Sequence, residues 1–307
     1  MGQEKPYFSI IVPTYNRPAQ LGACLESLVS LDYPRDCFEV IVVDDGGAMP
    51  LDTVITPFHR QLAVRLLWQP NAGPAAARNI GASEAKGEVF AFMDDDCIAS
   101  PDWLKVLGTY LEKAVHCAVG GQTLNALPHN TCSTASQVLI AYLYSYHNSI
   151  PQHARFFAAN NVALPAEQFR AVGGFDTSYP LAAGEDRDFC DRWLQLGYGM
   201  IYAPEAVVYH SHDLTLGTFI RQHFHYGRGA FCYRNLQARR AHGRIRVEPL
   251  LFYAKMLQYP FVQVRGMSAP LIAALFVIAQ VANAGGFFWE CTVGKRSGGF
   301  GCKTSGI

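Results

Sequence analysis

Apolar residues dominate the first third of the chain in two patterns, short continuous runs and helical repeats. Between the runs, Leu21, Leu25 and Leu28 recur at helical spacing within Pro18–Leu31. The Ala-rich segment Pro74–Ala85 begins with a proline, which favours the first position of a helix. Strands that alternate with helices are typical of βαβ units, so we expect an α/β fold with a mostly parallel sheet flanked by helices. The runs that predict its buried strands are Phe8–Val12, Phe38–Val43, Val64–Trp68 and Val89–Met93.

The pattern is less regular after Trp103. Five arginines and no acidic residue lie within Arg234–Arg246, and the segment Leu250–Trp289 is almost wholly apolar. The elements predicted for this part are helices over Pro101–Ala114, Ser136–Tyr146 and about Glu185–Leu196, and strands over His116–Thr123 and up to about Tyr209.

Charge is scarce and balanced along the chain. The 307 residues include 25 Lys and Arg against 25 Asp and Glu, and 16% are charged, against about 25% in a typical globular domain. Without an overall basic field, nucleic acid is not expected as a partner. The nine cysteines are scattered singly and lack the spacing of a zinc site, so we expect reduced thiols in a cytosolic compartment. The first ten residues show no signal-peptide pattern.

Acidic residues cluster where two predicted strands end. Asp44 and Asp45 follow the second strand, and Asp94, Asp95 and Asp96 follow the fourth. Ligands of open parallel sheets bind at this carboxyl edge. A single acid there often only caps the next helix, but three adjacent carboxylates repel one another unless a cation offsets their charge. Carboxylate oxygens suit Mg²⁺ or Mn²⁺, which usually also contact substrate phosphates.

Four short motifs occur in a fixed order: SIIVPTYNRP, VVDDGG, NAGPAAARNIGA and FMDDDC. In this order and at this spacing they resemble the nucleotide-sugar-binding half of the family 2 glycosyltransferases, which have the GT-A (Rossmann-like) fold. The resemblance covers roughly residues 7–230 and departs from the family at Gly47, where Ser is usual. It implies a nucleoside-diphosphate sugar as donor, a UDP-sugar first, with Mn²⁺ or Mg²⁺ and inversion at the anomeric carbon.

The same resemblance implies a division into domains. Residues 1–232 would form the catalytic domain, with a nucleotide-sugar half over about 1–115 and an acceptor half over about 116–232. Residues 233–307 would form a basic linker and a hydrophobic C-terminal helical region.

The resemblance also implies the residues of the donor site. Asp44 or Asp45 would accept a hydrogen bond from the base, and the sequence does not separate the two. Asp94 and Asp96 match the D-x-D pattern of the metal site, with Asp94 also near the ribose. The other residues implied for the nucleotide are Pro13, Thr14, Tyr15, Arg17, Gly73, Arg78 and Asp95.

Later segments resemble the catalytic and acceptor parts of the family. In AAGEDRDFCDRW, Asp186 would be the base for the acceptor hydroxyl, with Glu185 in support. The segment VVYHSH resembles the part of the family that supplies a metal-binding histidine after the E-D helix, so one of its histidines would bind the metal, His210 in preference to His212. Arg228 would contact the pyrophosphate, with a solvated helix face as the alternative. The acceptor and sugar-pocket candidates are Asn160, Asn161, Gly173 and Gly174, although the glycines fit a turn before a helix equally well.

The C-terminal stretch Gly266–Trp289 contains 24 residues without a charge. At about 1.5 Å per residue it could cross a hydrocarbon core of about 30 Å, although Pro270 and Gln280 also fit a re-entrant or interfacial helix. The arginines before it would meet anionic head groups on the cytoplasmic side. We therefore expect the chain at the cytoplasmic face of a membrane, peripheral or with a single C-terminal span. A tail that packs on the catalytic domain would instead leave it cytoplasmic.

Two other functions would use similar residues. A nucleotidyltransferase also needs carboxylates at strand ends, but the E-D helix with its trailing histidines favours glycosyl transfer, to a lipid-linked or polysaccharide acceptor. An inactive transferase-like membrane scaffold would have no reason to keep Asp96, Asp186 and His210. We expect an in-line displacement in which the cation and an arginine stabilise the leaving diphosphate.

Overall fold

The chain forms two compact units, each made of separate segments. A computed structural model describes residues 5–114, 116–179, 183–264 and 268–296. The first unit comprises Met1–Ala126, Asn148–Asp176 and Phe189–Ser211, and the second comprises Leu127–His147, Thr177–Asp188 and His212–Ile307. The second unit includes segments that lie within residues 116–232. The expected domain boundary at residue 232 stays a prediction.

The first unit is built around one eight-stranded sheet. Its strands are β1 (Phe8–Thr14), β2 (Phe38–Asp44), β3 (Val64–Trp68), β4 (Val89–Phe92), β5 (Cys97–Ala99), β6 (Ala118–Asn125), β7 (Val162–Pro165) and β8 (Met200–His210). Their order is β3-β2-β1-β4-β7-β6-β8-β5. The first four strands are parallel, as the alternation with helices predicts, and β6 runs parallel to β8. Strand β7 is antiparallel to both its neighbours, and β5 is antiparallel to β8.

Helices cover both faces of the parallel strands. Successive side chains of a strand point to opposite faces, so a strand covered on both sides is a nearly continuous apolar run. Ile10 and Val12 of β1 belong to a core with Leu21 and Leu25, and the core around Ile41 contains Val43 and Ala77. The helices are α1 (Pro18–Val29), α2 (Asp52–Ile55), α3 (Pro74–Glu84), α4 (Trp103–Lys113), α5 (Thr131–His147), α6 (Ala166–Val172), α7 (Glu185–Gln195), α8 (Leu216–Arg240), α9 (Leu250–Gln263) and α10 (Ser268–Arg296), and 3₁₀ turns lie at Arg35–Cys37, Thr56–Phe58 and Pro151–His153.

The structure confirms the α/β fold and the strands predicted for the first third of the chain. Short strands were missed: β5 and β7 have only three and four residues, too few to show an apolar alternation. Helix α8 is not among the predicted elements, where only Arg228 was considered as part of a helix face, and it runs for 25 residues. The eight described cysteines are free thiols, and Cys302 lies outside the described residues.

The second unit is helical. Helices α5, α8, α9 and α10 share an apolar core that includes Leu139, Phe219, Met256 and Phe276. The predicted apolar helix is present as α10, while Gly266 and Met267 of the uncharged stretch lie outside the described residues. Within the described residues, α10 is the helix that is long and apolar enough over Ser268–Val293 to cross a membrane, and 28% of its most apolar window is buried in the protein.

Candidate active site

The carboxyl edge of the parallel sheet gathers the acidic residues of the first unit. In the register of β1 and β2, Thr14 is the partner of Asp44, so the loops that follow the two strands start side by side. The backbone N–H of Asp45 donates to the Thr14 carbonyl, 2.9 Å away, and ties these loops together. Strand β4 pairs with the other side of β1, which places the loop of the three consecutive aspartates at the same edge.

Asp45 organises the loop that precedes α3. Its Oδ1 accepts hydrogen bonds from Gln69 Nε2 (2.5 Å) and the backbone N–H of Ala72 (2.8 Å). Its Oδ2 accepts from Asn71 Nδ2 (3.2 Å) and the backbone N–H of Gly73 (2.9 Å). These four bonds use the full acceptor capacity of a carboxylate, so Asp45 holds the loop in place.

Asp44 is buried like Asp45 but has an open oxygen. Its Oδ1 accepts from the backbone N–H of Gly47 at 2.8 Å, and among the described residues its Oδ2 has no hydrogen-bond partner. A Cβ at position 47 would lie 2.8 Å from this Oδ1 and 3.3 Å from Asn16 Oδ1, so the loop is fitted to glycine rather than serine. The structure thus distinguishes two carboxylates that the sequence could not separate.

Arginines offset the charge of the three consecutive aspartates. Arg78 Nη2 lies 2.6 Å from Asp94 Oδ1, and its side chain is buried beneath the loop. Arg17 Nη1 lies 3.2 Å from Asp95 Oδ1 and 2.8 Å from Asp96 Oδ2, while almost half of its side chain stays exposed. The two arginines therefore lie among the carboxylates, where their planar groups also suit a phosphate.

Asp95 has a structural place between its neighbours. Thr14 Oγ1 donates to Asp95 Oδ2 at 2.7 Å, which fixes the end of β1 to this loop. Burial raises the pKa of Asp95 to about 6, against the opposing effects of the Thr14 hydrogen bond and the Arg17 charge. The Asp95 carboxylate is thus directed at Thr14 and Arg17.

Asp96 and His210 meet although they lie far apart in the sequence. His210 Nε2 is 3.2 Å from Asp96 Oδ1, because β8 pairs with β5 and the Ser211 N–H donates to the Asp96 carbonyl. Burial alone would lower the pKa of His210, but the hydrogen bond and charge of Asp96 and the charge of Asp94 outweigh it and raise that pKa. Together with Cys97, the two residues offer ligand atoms that all lie within 4.8 Å of one another.

The donor set fits a divalent cation. A carboxylate and an imidazole suit Mn²⁺, and also Mg²⁺ through the carboxylate. Cys97 is a poor member of the set because its side chain is fully buried in the apolar core, and burial raises the pKa of its thiol well above the ordinary value. His212 begins the last segment of the second unit, two residues beyond the end of β8.

The acidic start of α7 belongs to the second unit. Asp186 is partly exposed, and its Oδ1 accepts the backbone N–H of Arg187 at 2.7 Å. Glu185 is buried, and the fully buried Asp188 accepts a hydrogen bond from Arg240 Nη1 at 2.7 Å. Arg240 is at the end of α8, so this ion pair fixes the first turn of α7 to that helix.

Several predicted residues have structural partners. Asn161 is fully buried: its Oδ1 accepts from Trp103 Nε1 at 2.9 Å, and its Nδ2 donates to the carbonyls of Gln122 and Ala206. Its side chain therefore connects the sheet to α4. Asn160, in the same turn, is also buried, and its Oδ1 accepts a hydrogen bond from Thr123 Oγ1 at 3.4 Å.

The two predicted glycines end a helix. Gly173 has a φ of +85° and Gly174 a φ of +70°, and their N–H groups bond back to the carbonyls of Arg170 and Phe169. This is a left-handed helix end, which favours glycine. Arg228, in the second unit, has its Nε 2.6 Å from Glu290 Oε2 of α10.

The sequence reasoning missed residues that shape the loops. Tyr15 is half exposed, and next to it Asn16 has a φ of +54° and accepts the backbone N–H of Ala48 at 2.7 Å. Gln69 and Asn71 bind Asp45. Both asparagines stand shortly before a helix that begins with proline, where Asn is a turn signal. The sequence does not show that Asn71 contacts Asp45.

The family model of glycosyl transferase family 2 matches residues 9–171, more than half of the chain. The chain belongs to glycosyl transferase family 2. It is similar to the glycosyltransferase AglE of Haloferax volcanii, with 25% identity over 232 residues that cover 73% of each protein. It is also similar to the pre-mycofactocin glycosyltransferase of Mycobacterium tuberculosis, with 28% identity over 236 residues, 72% of this chain. The matched region covers 46% of that relative's length.

Solved structures of low identity share the fold. The mannosyltransferase PcManGT of Pyrobaculum calidifontis, in complex with GDP-Man and Mn²⁺, has a TM-score of 0.62 at 20% identity and covers 96% of this chain and 81% of that one. The S. aureus TarS fragment 1–349, in complex with UDP-GlcNAc, has a TM-score of 0.53 at 17% identity, with 95% and 92% covered. The predicted GT-A fold is confirmed. As a member of this family, the chain is a glycosyltransferase enzyme that depends on a sugar nucleotide.

Proposed function

We propose that this family 2 glycosyltransferase is inverting and transfers a sugar from a UDP-sugar to a hydroxyl of a lipid-linked or polysaccharide acceptor. The observation that carries the proposal is the approach of His210 Nε2 to Asp96 Oδ1, 3.2 Å apart at the carboxyl edge of the sheet. A scaffold without activity needs neither the metal-ligand pair Asp96 and His210 nor the buried Asp44, whose Oδ2 can accept a hydrogen bond from a base.

Asp44 is the proposed partner of the nucleotide base. Its free Oδ2 can accept one hydrogen bond from a ring N–H, whereas both oxygens of Asp45 are used by the loop before α3. Pro13, Thr14 and Tyr15 form the end of β1 and the loop beside it. The ribose and diphosphate would lie over Asp94, with Arg17 and Arg78 as the cationic groups of the first unit.

Asp96 and His210 are the proposed protein ligands of Mn²⁺ or Mg²⁺, with Asp94 beside them. When bound, the cation would neutralise charge that grows on the departing diphosphate. Arg17 shares its guanidinium between Asp95 and Asp96, which offsets the repulsion between these closely spaced carboxylates.

Asp186 is the proposed base. The acceptor oxygen would attack the anomeric carbon as the bond from that carbon to the phosphate oxygen breaks, and the hydroxyl proton would pass to the Asp186 carboxylate. Partial exposure suits this role, because the base must meet a substrate, and the Asp188–Arg240 ion pair would hold its helix turn in place. Membrane association at the cytoplasmic face is a further part of the proposal, supported by the apolar α10.

The test uses a panel of UDP- and GDP-sugars with and without Mn²⁺, and measures the nucleotide product. We expect metal-dependent release of UDP from one UDP-sugar; release of pyrophosphate would instead show a nucleotidyltransferase. Asp186→Asn should abolish transfer and leave binding of the donor intact. Asp191→Asn, on the same helix, where the Asp191 carboxylate accepts a hydrogen bond from Gln195 Nε2 at 2.9 Å, is the matched control and should retain transfer. Near-normal turnover by the Asp186 variant would exclude it as the base.

A further inference from the structure

Helix α10 carries two apolar stripes, and only one of them is covered by protein. The covered stripe packs in the core of the second unit and includes Ile272, Phe276 and Ala279. The other stripe is exposed and repeats every three or four residues over about 33 Å of helix. Its members include Leu271, Val277, Ile278, Val281, Phe288, Trp289 and Val293, with Val281 68% and Phe288 67% exposed.

The exposed stripe has no charged group. Between Ser268 and Val293 the sequence contains a single charged residue, Glu290, and it is buried against Arg228. An apolar surface of this length is unusual on the outside of a soluble protein and marks an interaction site.

Both halves of α10 are attached to other helices of the second unit, a packing that favours a docked helix over a lone transmembrane span. The first half packs on α5 and α9 in the shared core. The second half lies directly against α8: a Cβ on Gly227 would lie 1.9 Å from the Asn283 carbonyl oxygen, and one on Gly286 would lie 1.9 Å from that of Phe224. If α10 crossed a bilayer, α8 would have to enter it with Arg221 and Arg228, at a high cost.

Exposed arginines precede the apolar surface along the chain. Arg239, Arg244 and Arg246 are exposed at the end of α8 and in the loop after it, whereas Arg240 pairs with Asp188. No acidic residue lies among them, and the next one, Glu248, pairs with Arg234 at 3.3 Å. Exposed Val247, Leu250 and Leu251 follow at once, with Leu250 87% exposed at the start of α9.

A cationic loop that leads into exposed apolar helices matches an anionic lipid surface. Head groups would meet the arginines, and the boundary of the acyl chains would take the leucines, valines and aromatic residues. A protein partner would have to present both an acidic patch and an apolar groove as long as α10, whereas a bilayer with anionic lipid offers both.

We propose that the exposed stripe of α10 and the start of α9 form a monotopic docking face, which lies in the plane of an anionic membrane without crossing it, with Arg239, Arg244 and Arg246 on the head groups. The proposal specifies how the membrane association of the proposed function takes place. It does not depend on which donor or acceptor the enzyme uses.

The experiment measures flotation of the full chain with vesicles of phosphatidylcholine alone or mixed with phosphatidylglycerol. We expect the wild type to float with the mixed vesicles. Val281→Glu should weaken this binding by about tenfold or more, because it buries a charge in the acyl boundary. The double variant Arg244→Glu/Arg246→Glu should bind mixed vesicles no better than neutral ones. Trp68→Glu, a matched change at a residue 65% exposed in the first unit, should bind like the wild type.

A second measurement decides between lying in the plane and crossing. With a tag at each end of the chain, protease added outside the vesicles should remove both tags; protection of the C-terminal tag would show a span and overturn the proposal. A wild type that does not float, or a Val281→Glu variant that floats equally well, would also overturn it. So would a dimer in solution that Val281→Glu separates, since a second copy would then cover the stripe. Release of UDP from the donor, measured on the same samples without vesicles, should be unchanged in Val281→Glu and tests glycosyl transfer separately.

Discussion

Asp44 and Asp45 are adjacent, equally buried carboxylates, and the structure predicts opposite consequences for their replacement by asparagine. Each oxygen of Asp45 accepts two hydrogen bonds, from the side chains of Gln69 and Asn71 and from the backbone N–H groups of Ala72 and Gly73. An asparagine at position 45 can satisfy only one pair of these donors. In either orientation its own NH₂ group faces the other pair.

The cost of Asp45→Asn follows from these contacts. Two hydrogen bonds to a charged acceptor are lost, at about 1.5–3 kcal/mol each, so we expect a loss of roughly 3–6 kcal/mol in the free energy of unfolding. At about 2–4 °C per kcal/mol for a large domain, the melting temperature should fall by roughly 6–24 °C. In Asp44→Asn the amide oxygen can still accept the Gly47 N–H, so the stability should change by less than about 1 kcal/mol. Its NH₂ group would then face the nucleotide base, donor against donor.

Urea unfolding and calorimetric titration with UDP and Mn²⁺ separate the two effects. We expect Asp45→Asn to be strongly destabilised, and Asp44→Asn to fold like the wild type but to lose affinity for UDP by tenfold or more, the worth of about 1.4 kcal/mol. If Asp45→Asn unfolds like the wild type while its UDP binding disappears, the assignment of the two residues is reversed. If Asp44→Asn binds UDP normally, Asp44 does not contact the base.

Three further predictions concern other parts of the chain. Burial lowers the pKa of His223 from 6.5 to about 4, so the stability gained by burying the neutral imidazole is fully present above pH 6.5 and is lost as the pH falls towards 4. Between pH 7 and pH 4, the free energy of unfolding of the wild type, measured with urea, should fall by about 3 kcal/mol more than that of His223→Gln. An equal fall in the two proteins would contradict this. Arg17→Gln removes the guanidinium that pairs with Asp95 and Asp96 and competes with a metal ion for these carboxylates. Mn²⁺ should therefore bind the nucleotide-free variant roughly tenfold more tightly than the wild type, as measured by calorimetry. Weaker binding would show that Arg17 assists the metal. Gly227→Ala places a Cβ 1.9 Å from the Asn283 carbonyl oxygen and should lower the melting temperature by several degrees. Gly217→Ala is the control on the same helix: its Cβ would lie 3.9 Å from the nearest atom, so the melting temperature should stay the same or rise slightly.

The sequence by itself determined the parallel core of the sheet and the location of the acidic residues. Strands β1, β2 and β4 are buried on both faces, so almost all residues of the runs at Phe8, Phe38 and Val89 are apolar, and the pattern is visible without a structure. The polar exceptions inside the first two runs, Ser9 and Glu39, are buried and hydrogen-bonded to each other at 2.8 Å. Because parallel strands end at one edge, the positions of Asp44 and Asp94–Asp96 followed from the same pattern. These features depend on neighbours in the chain and on the repeat of two residues along a strand.

The tertiary structure alone decided what individual polar groups contact. The hydrogen bonds of Asp45, the burial of Asn161 between Trp103 and Ala206, and the pair formed by Asp96 and His210 all join residues distant in the sequence. Hydrogen bonds need donor and acceptor within about 3 Å, and an apolar pattern does not encode partners at that precision.

The same limit applies to the uncharged tail. Its composition fits a transmembrane span, an interfacial helix and a buried helix equally well, because hydropathy depends on the residue types and not on what each residue contacts. The contacts of Gly227 and Gly286 and the buried Arg228–Glu290 pair attach α10 to the second unit, and they leave one apolar stripe exposed. Packing at this distance, which hydropathy does not encode, is the observation that supports the docking proposed for α10.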